Sequence, residues 1–287
     1  MAPPERPASH AKLVAAAAWV GVLTLAAGIW ARDAGTLRAR HPLPENVRSP
    51  ILALELIRSP ELVDKIARPD PPSQGGTPAP PPRHEPEQLA YSVYVDYLFI
   101  SAYAAFFVLT GWLIVATFPL PAGLLGGLVI VLALAGAVFD VRENIAMLDV
   151  LAHRAADPRS PSLIKWALIF AATLCSTPLF LDRTARPLRR AIGVLGIACA
   201  MVAGIGGLAG VWTGTDRLIE TAAGRLAVTF LLAVVFLGTR GMLRDGLLPA
   251  LDRLATRRAF KWLAAWPPGD QNETVGESVF DGQPAQD

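Results

Sequence analysis

YLFISAYAAFFVLTGWLIVATFPLPAGLLGGLVIVLALAGAVF, residues 97–139, contains no Asp, Glu, Lys or Arg. A helix crosses the hydrocarbon core of a bilayer with about 20 apolar residues, so the stretch holds two spans. Phe118-Pro119-Leu120-Pro121 divides them. Proline lacks a donor N–H and keeps the residue before it out of the helical region, which makes this segment a turn. Asp96 stands immediately before the stretch and Asp140 immediately after it.

The rest of the chain has the same character. It is 53% hydrophobic and 17% charged, against about 25% charged for a soluble domain. Counting charge-poor apolar stretches predicts six spans, at about 13–30, 91–117, 122–139, 163–181, 191–212 and 222–239. The fold class is all-α, a polytopic transmembrane helix bundle. Ser160-Pro161 supplies a capping oxygen and a first-turn proline for the fourth span. Arg225 falls in the first turn of the sixth span and has to snorkel. The first span follows a basic leader, so it reads either as a retained anchor or as a cleaved signal peptide.

Residues 31–90 form a long connection. Within it the apolar run at 51–57 is expected to lie on the membrane surface or to fold over the bundle. Ser59-Pro60-Glu61 starts a short helix that continues to Ala67. Residues 68–87 contain eight prolines and two glycines, the composition of an unstructured linker. Beyond the last span, 240–266 reads as an amphipathic basic helix suited to an anionic membrane surface. The tail at 267–287 has five acids and no base and is expected to be disordered. Residues 1–12 form the N-terminus before the first span.

Charge distribution predicts orientation. Arg183, Arg186, Arg189 and Arg190 cluster between the fourth and fifth spans, and Arg240 and Arg244 follow the sixth. Basic connections stay in the cytoplasm, which puts both termini inside and the proline-rich connection outside. Arginine outnumbers lysine 22 to 4, a bias associated with GC-rich bacterial genomes, so the bacterial inner membrane is the expected location.

Acids at membrane depth call for a functional hypothesis. Asp96 lies about 7 Å into its span from the outer end, at 1.5 Å per residue. Asp140, Glu143 and Asn144 share a helix face by their i, i+3, i+4 spacing. The second span runs inward and the third returns, so Asp96 and the Asp140 group meet at the same outer edge. Candidate ligand-binding residues are Asp96, Tyr103, Asp140, Arg142, Glu143 and Asn144. Arg142 and Arg154 offer positive charge, and Tyr94, Tyr97 and Tyr103 offer hydroxyls. The bland alternative is that Asp96 pairs with Arg142 or accepts from a tyrosine, which would only lock two helices together. The carboxylates also admit acid–base chemistry on a lipid-soluble substrate, or transport, although no internal repeat of the transporter kind is evident.

Other chemistry finds no support in the sequence. His10, His41, His84 and His153 lack ligand spacing, so no metal is expected, and no cofactor or catalytic set is recognised. Cys175 and Cys199 both fall in apolar segments and read as buried thiols. Basic residues flank spans and form no stripe of their own, which argues against nucleic acid as a partner. The expected partner is the lipid bilayer. Gly123-x-x-x-Gly127 in the third span, with Gly196-x-x-x-Ala200-x-x-x-Gly204 and Gly206-x-x-x-Gly210-x-x-x-Gly214 in the fifth, give small faces that suit a compact bundle or a homo-oligomer. Trp30, Trp112, Trp166 and Trp212 near span ends read as interfacial anchors.

Asp96-Tyr97-Leu98-Phe99-Ile100-x-x-Tyr103 followed by Asp140-x-x-Glu143-Asn144 resembles a group of bacterial multi-pass membrane proteins with no established function. The stretch from Leu54-Glu55-Leu56 to Ser59-Pro60-Glu61 is similar to what precedes their Asp-led helix. The resemblance covers 51–153, departs at the proline-rich insert, and implies that Asp96, Asp140, Glu143 and Asn144 matter without implying a reaction.

Overall fold

The computed structural model describes residues 8–34, 49–58, 85–182 and 187–242. The expected short helix at 59–67, the linker as far as residue 84, Arg183 and Arg186, and the amphipathic segment and tail from 243 onward lie outside the described residues. Within them the chain forms α1 (Ala8–Ala34), α2 (Pro50–Glu55), α3 (Glu85–Thr117), α4 (Ala122–Leu151), α5 (Arg159–Cys175) with a 3-10 turn (Thr177–Phe180), α6 (Pro187–Thr213) and α7 (Asp216–Met242), and no strand.

Six helices are long and apolar enough to cross a membrane: His10–Ala31, Leu89–Thr117, Ala122–Leu151, Arg159–Phe180, Pro187–Thr213 and Asp216–Thr239. The chain is an integral membrane protein built as a helical bundle. Each spanning helix packs on the next in the chain, and α7 returns to α1, so the six close into a ring. The ring is filled by side chains. Phe106 and Phe107 meet Phe230 edge-on, with ring centroids 5.1 and 5.3 Å apart, joining α3 to α7.

Several boundaries differ from the sequence expectation: α6 starts at Pro187 and α7 at Asp216, before the expected 191 and 222, so Arg225 falls beyond the first turn of α7. The linker ends earlier, because α3 already starts at Glu85 with Pro86 in its first turn, a position that needs no N–H. The third span does not close at Phe139; α4 continues to Leu151. The segment expected to lead outward from Asp140 is therefore helical for another three turns. Asp140 and Glu143 find a partner inside the bundle, while Asp149 pairs with Arg154 at the surface. The fourth span starts at Arg159 with Pro158 at the N-cap position, so Ser160 lies inside the helix and not at its cap. The Asp157 carboxylate accepts from Arg159 N at 3.0 Å and from the Ser160 hydroxyl. Arg225 is exposed on α7, where its long stem can run along the helix toward the interface.

The apolar run at 51–57 folds into the bundle end. Ser49 caps α2 by accepting from Leu52 N, and Pro50 occupies the first turn. Leu52, Ala53, Leu54, Leu56 and Ile57 are buried in one cluster with Leu89 and Val93 of α3, Met147 and Val150 of α4, Phe170 of α5, and Ile219 and Ala222 of α7. A six-residue helix from the long connection thus plugs the end of the ring where α3, α5 and α7 begin.

Most of the small faces are spent within the bundle. A Cβ at Gly111 would sit 2.5 Å from Gly126 O, so α3 and α4 touch backbone to backbone. On α6, Gly196 faces Phe180, Gly204 faces Leu174 and Gly207 faces Phe170. Gly214 closes α6 at φ +64°, with Thr215 N donating to Gly210 O. Gly127 and Gly206 have nothing within 4 Å of a built Cβ. Gly111→Ala is expected to lower stability by about 1–3 kcal/mol, because neither backbone can yield. Gly127→Ala should stay within about 0.5 kcal/mol. Thermal unfolding of the two purified proteins in the same detergent checks the contrast.

Candidate functional site

A lysine from α5 organises the polar interior. Lys165 lies six residues after Arg159, about 9 Å along the helix at 1.5 Å per residue, and its side chain is 5% exposed. An ammonium taken out of water needs charge partners and hydrogen bonds, or it loses several kcal/mol of hydration. Lys165 Nζ has three. It is 2.7 Å from Glu143 Oε2, 3.2 Å from Asp140 Oδ1 and 3.2 Å from Glu55 Oε2. Glu143 and Asp140 come from α4 and lie on one face by their i, i+3 spacing. Glu55 is the last residue of the plug α2.

A second set of bonds surrounds these ion pairs. The Tyr103 hydroxyl of α3 donates to Asp140 Oδ2 at 2.8 Å. Asn144 Nδ2 of α4 donates to Asp96 Oδ2 of α3 at 2.9 Å. Trp166 Nε1 donates to Glu55 Oε2 at 3.1 Å, and the Lys165 ammonium lies 4.9 Å from the Trp166 ring centroid. Tyr103, Asp140, Glu143, Asn144 and Lys165 are all buried. Four buried polar atoms here lack hydrogen-bond partners: Asp140 Oδ1 and Glu143 Oε2, which meet Lys165 as ion pairs only, and Asn144 Oδ1 and Ser162 Oγ, the last one turn before Lys165 on α5.

The rim of the plug carries its own polar contacts. Ser49 N donates to Glu220 Oε1 at 3.0 Å. Arg159 Nη1 donates to Leu56 O at 2.6 Å, while its Nη2 pairs with Asp216 Oδ1 at 3.0 Å. Arg58 Nη2 donates to Gly214 O at 3.0 Å. The plug is thus held at both ends as well as through Glu55.

Of the six residues singled out from the sequence, Asp96, Tyr103, Asp140, Glu143 and Asn144 meet here. Arg142 does not. It follows Asp140 by two positions, which turns it to the opposite side of α4, where it is exposed with its guanidinium 5.8 Å from the Phe139 ring centroid. Asp96 therefore pairs with Asn144 and not with Arg142. Arg154 also stays away, pairing with Asp149 at 3.0 Å on the surface. Tyr94 is exposed and Tyr97 half-buried. The site lies inside the helices rather than at the mouth of the bundle.

The residues that reasoning from sequence passed over are Lys165, Glu55 and Trp166. Their signal was available: Lys165 interrupts an apolar span and Glu55 an apolar run, and a charge in such a place needs a partner. Trp166 belongs to the cluster rather than to the interfacial anchors, whereas Trp30, Trp112 and Trp212 are exposed as anchors should be. Among the described residues, no group of three or more His, Cys, Asp or Glu is arranged to hold a metal ion.

The chemistry on offer is asymmetric. One ammonium faces three carboxylates, with Asp96 a fourth just beyond. The acceptors outnumber the donors that Tyr103, Trp166, Asn144 and Lys165 supply. Such a centre attracts protons or other cations and repels anions, unless an anion takes the place of a carboxylate already there. No protein family, curated protein or solved structure matches the chain.

Removing Lys165 would strand three buried carboxylates. Lys165→Met is expected to destabilise the protein by about 3–5 kcal/mol. Arg142→Gln should change stability by no more than about 0.5 kcal/mol. Thermal or denaturant unfolding of the two variants in one detergent distinguishes the inward charge from the outward one.

Proposed function

We propose that the chain is a ligand-binding membrane protein, that the Lys165 cluster is its binding centre, and that a cation is the first ligand. One observation carries the reading: a single buried ammonium within 3.2 Å of three carboxylates. In a low-dielectric interior, uncompensated negative charge of this size is unfavourable by many kcal/mol. Direct N–O contacts leave no ligand-sized gap between Lys165 and its partners, which favours the smallest cation, a proton. The resemblance noted above supports the same residues, since Asp96, Asp140, Glu143 and Asn144 carry its motif.

A competing reading has its own observation. The Tyr103–Asp140 and Asn144–Asp96 bonds join α3 directly to α4, which is what a purely structural latch would do. Linkage separates the two. A site that holds more cation when folded than when unfolded gains stability as the activity of that cation rises. The melting temperature of the wild type should therefore climb with proton, Na⁺ or K⁺ activity, measured in three separate titrations. Glu143→Gln, which removes one excess charge at constant shape, should flatten the slope. A wild-type melting temperature flat in all three titrations leaves the latch.

We place the plugged end on the outer face of a bacterial inner membrane, with both termini cytoplasmic. The support is the arginine cluster around the connection before α6 and the bases after α7. Cysteines introduced at Gly75 and Arg186 should differ in labelling by an impermeant maleimide added to intact cells. Gly75→Cys is expected to react and Arg186→Cys to stay protected; equal reaction at both defeats the orientation.

A further inference from the structure

The plug α2 has the composition of an apolar acid: buried aliphatic side chains followed by one carboxylate. Leu52, Ala53 and Leu54 pack among Leu89, Val93, Met147, Val150, Phe170 and Ile219, and Glu55 then delivers its carboxylate to two donors, Lys165 Nζ at 3.2 Å and Trp166 Nε1 at 3.1 Å. An ammonium beside an indole N–H at the floor of an apolar vestibule is a receptor for a carboxylate with a hydrocarbon tail. We propose that α2 is a tethered occupant of such a site, and that a small apolar monocarboxylate exchanges with Glu55 when the plug withdraws. The proposal rests on the cluster being a binding centre, as argued above, and it names a second ligand class for that centre.

Three further observations bear on it. First, the exchange is neutral in charge, since one carboxylate replaces another, so the shortage of cations in the cluster does not oppose it. Second, Ser162 Oγ is fully buried without a hydrogen-bond partner, one turn before Lys165 and on the same side of α5. It adds an unused donor on that side of α5. Asn144 Oδ1 is an equally buried acceptor with no donor. Third, α2 is removable. Helices of six residues have little stability of their own, and this one is held by side-chain contacts at its rim, among them Arg58, whose side chain is 51% exposed. The spanning helices around it cannot give up their backbone hydrogen bonds in lipid.

A tethered carboxylate competes at high effective concentration, so the test weakens the tether. Full-length Glu55→Gln, which keeps the shape of the side chain, and Glu55→Ala are placed in lipid nanodiscs and titrated with hexanoate. Hexan-1-ol, which has the same chain and no charge, serves as the control. Hexanoate is expected to raise the melting temperature of the variants by several degrees and to speed amide hydrogen exchange at 52–56 by severalfold, with hexan-1-ol doing neither. Trp166→Phe in the Glu55→Gln background, which removes one donor, should weaken the hexanoate response severalfold. Equal shifts from hexanoate and hexan-1-ol, or no shift from either in both variants, overturn the proposal. The cation dependence of the wild type, measured in the same nanodiscs, reports separately on the cluster itself: if it persists while hexanoate is inert, only the carboxylate site fails.

Discussion

An ammonium group inside a membrane bundle dictates much of what surrounds it. Lys165 is buried between helices, and the hydration it gives up has to be replaced by carboxylates at contact distance. Two of those come from α4, which sets the rotation and register of α4 against α5. The third comes from α2, whose apolar side chains pack into the end of the ring, and it ties that segment to the cluster. Tyr103 and Asn144 then extend the network to α3 by bonding Asp140 and Asp96. Through one side chain, three spanning helices and a loop segment share a single arrangement. A shift of any of them by one residue would separate charges that cannot be left apart in a low-dielectric interior.

Short-range packing makes that arrangement reachable. Gly136 lies one turn before Asp140 on α4, and a Cβ placed there would be 3.4 Å from Ile169 Cγ1 and 4.0 Å from Lys165 O. A Cβ at those distances would be in ordinary van der Waals contact, so α4 and α5 pack closely here without requiring glycine. Gly111 and Gly126 are required between α3 and α4, where the helices meet at backbone contact. With no hydrophobic driving force between helices in lipid, close approach and polar bonds are the available sources of association. At α3 and α4 the glycines and the cluster act on the same pair of helices.

The spanning helices and the site acids were legible for different reasons. Residues 97–139 announce their two spans by charge exclusion alone, and the proline turn between them is local chemistry. Asp96, Asp140, Glu143 and Asn144 stood out because the helical period puts the last three on one face and topology brings the first beside them. The same charge-counting rule misplaced the end of α4, since it treats every acid as a boundary and has no means of seeing Lys165 across the interface. Arg142 misled for a related reason: closeness in sequence to Asp140 suggested a pair, but two positions along a helix turn the side chain away. Glu55 was hidden by distance, because its partners are more than a hundred residues further along the chain, and only the tertiary fold joins them.

The position of α2 also decides how anything reaches the cluster. Lys165 and its acids are sealed on the sides by spanning helices of 22–30 residues. Their backbone bonds have no substitute in hydrocarbon, so opening the wall by unwinding would expose groups that lipid cannot satisfy. Lateral parting of α4 from α5 would break the ion pairs themselves. At the plugged end the cover is a six-residue helix whose rim contacts, made by Ser49, Arg58 and Arg159, sit near the ends of the spans. Near the helix ends water can take over the bonds that those residues make with the plug. Removing α2 breaks the Glu55–Lys165 and Arg58–Asp216 ion pairs and uncovers its buried apolar side chains and those that line its seat, but it leaves the backbone hydrogen bonds of the wall intact. On the proposed reading, the route between the cluster and the outside runs through α2, where Glu55 belongs to both cover and cluster.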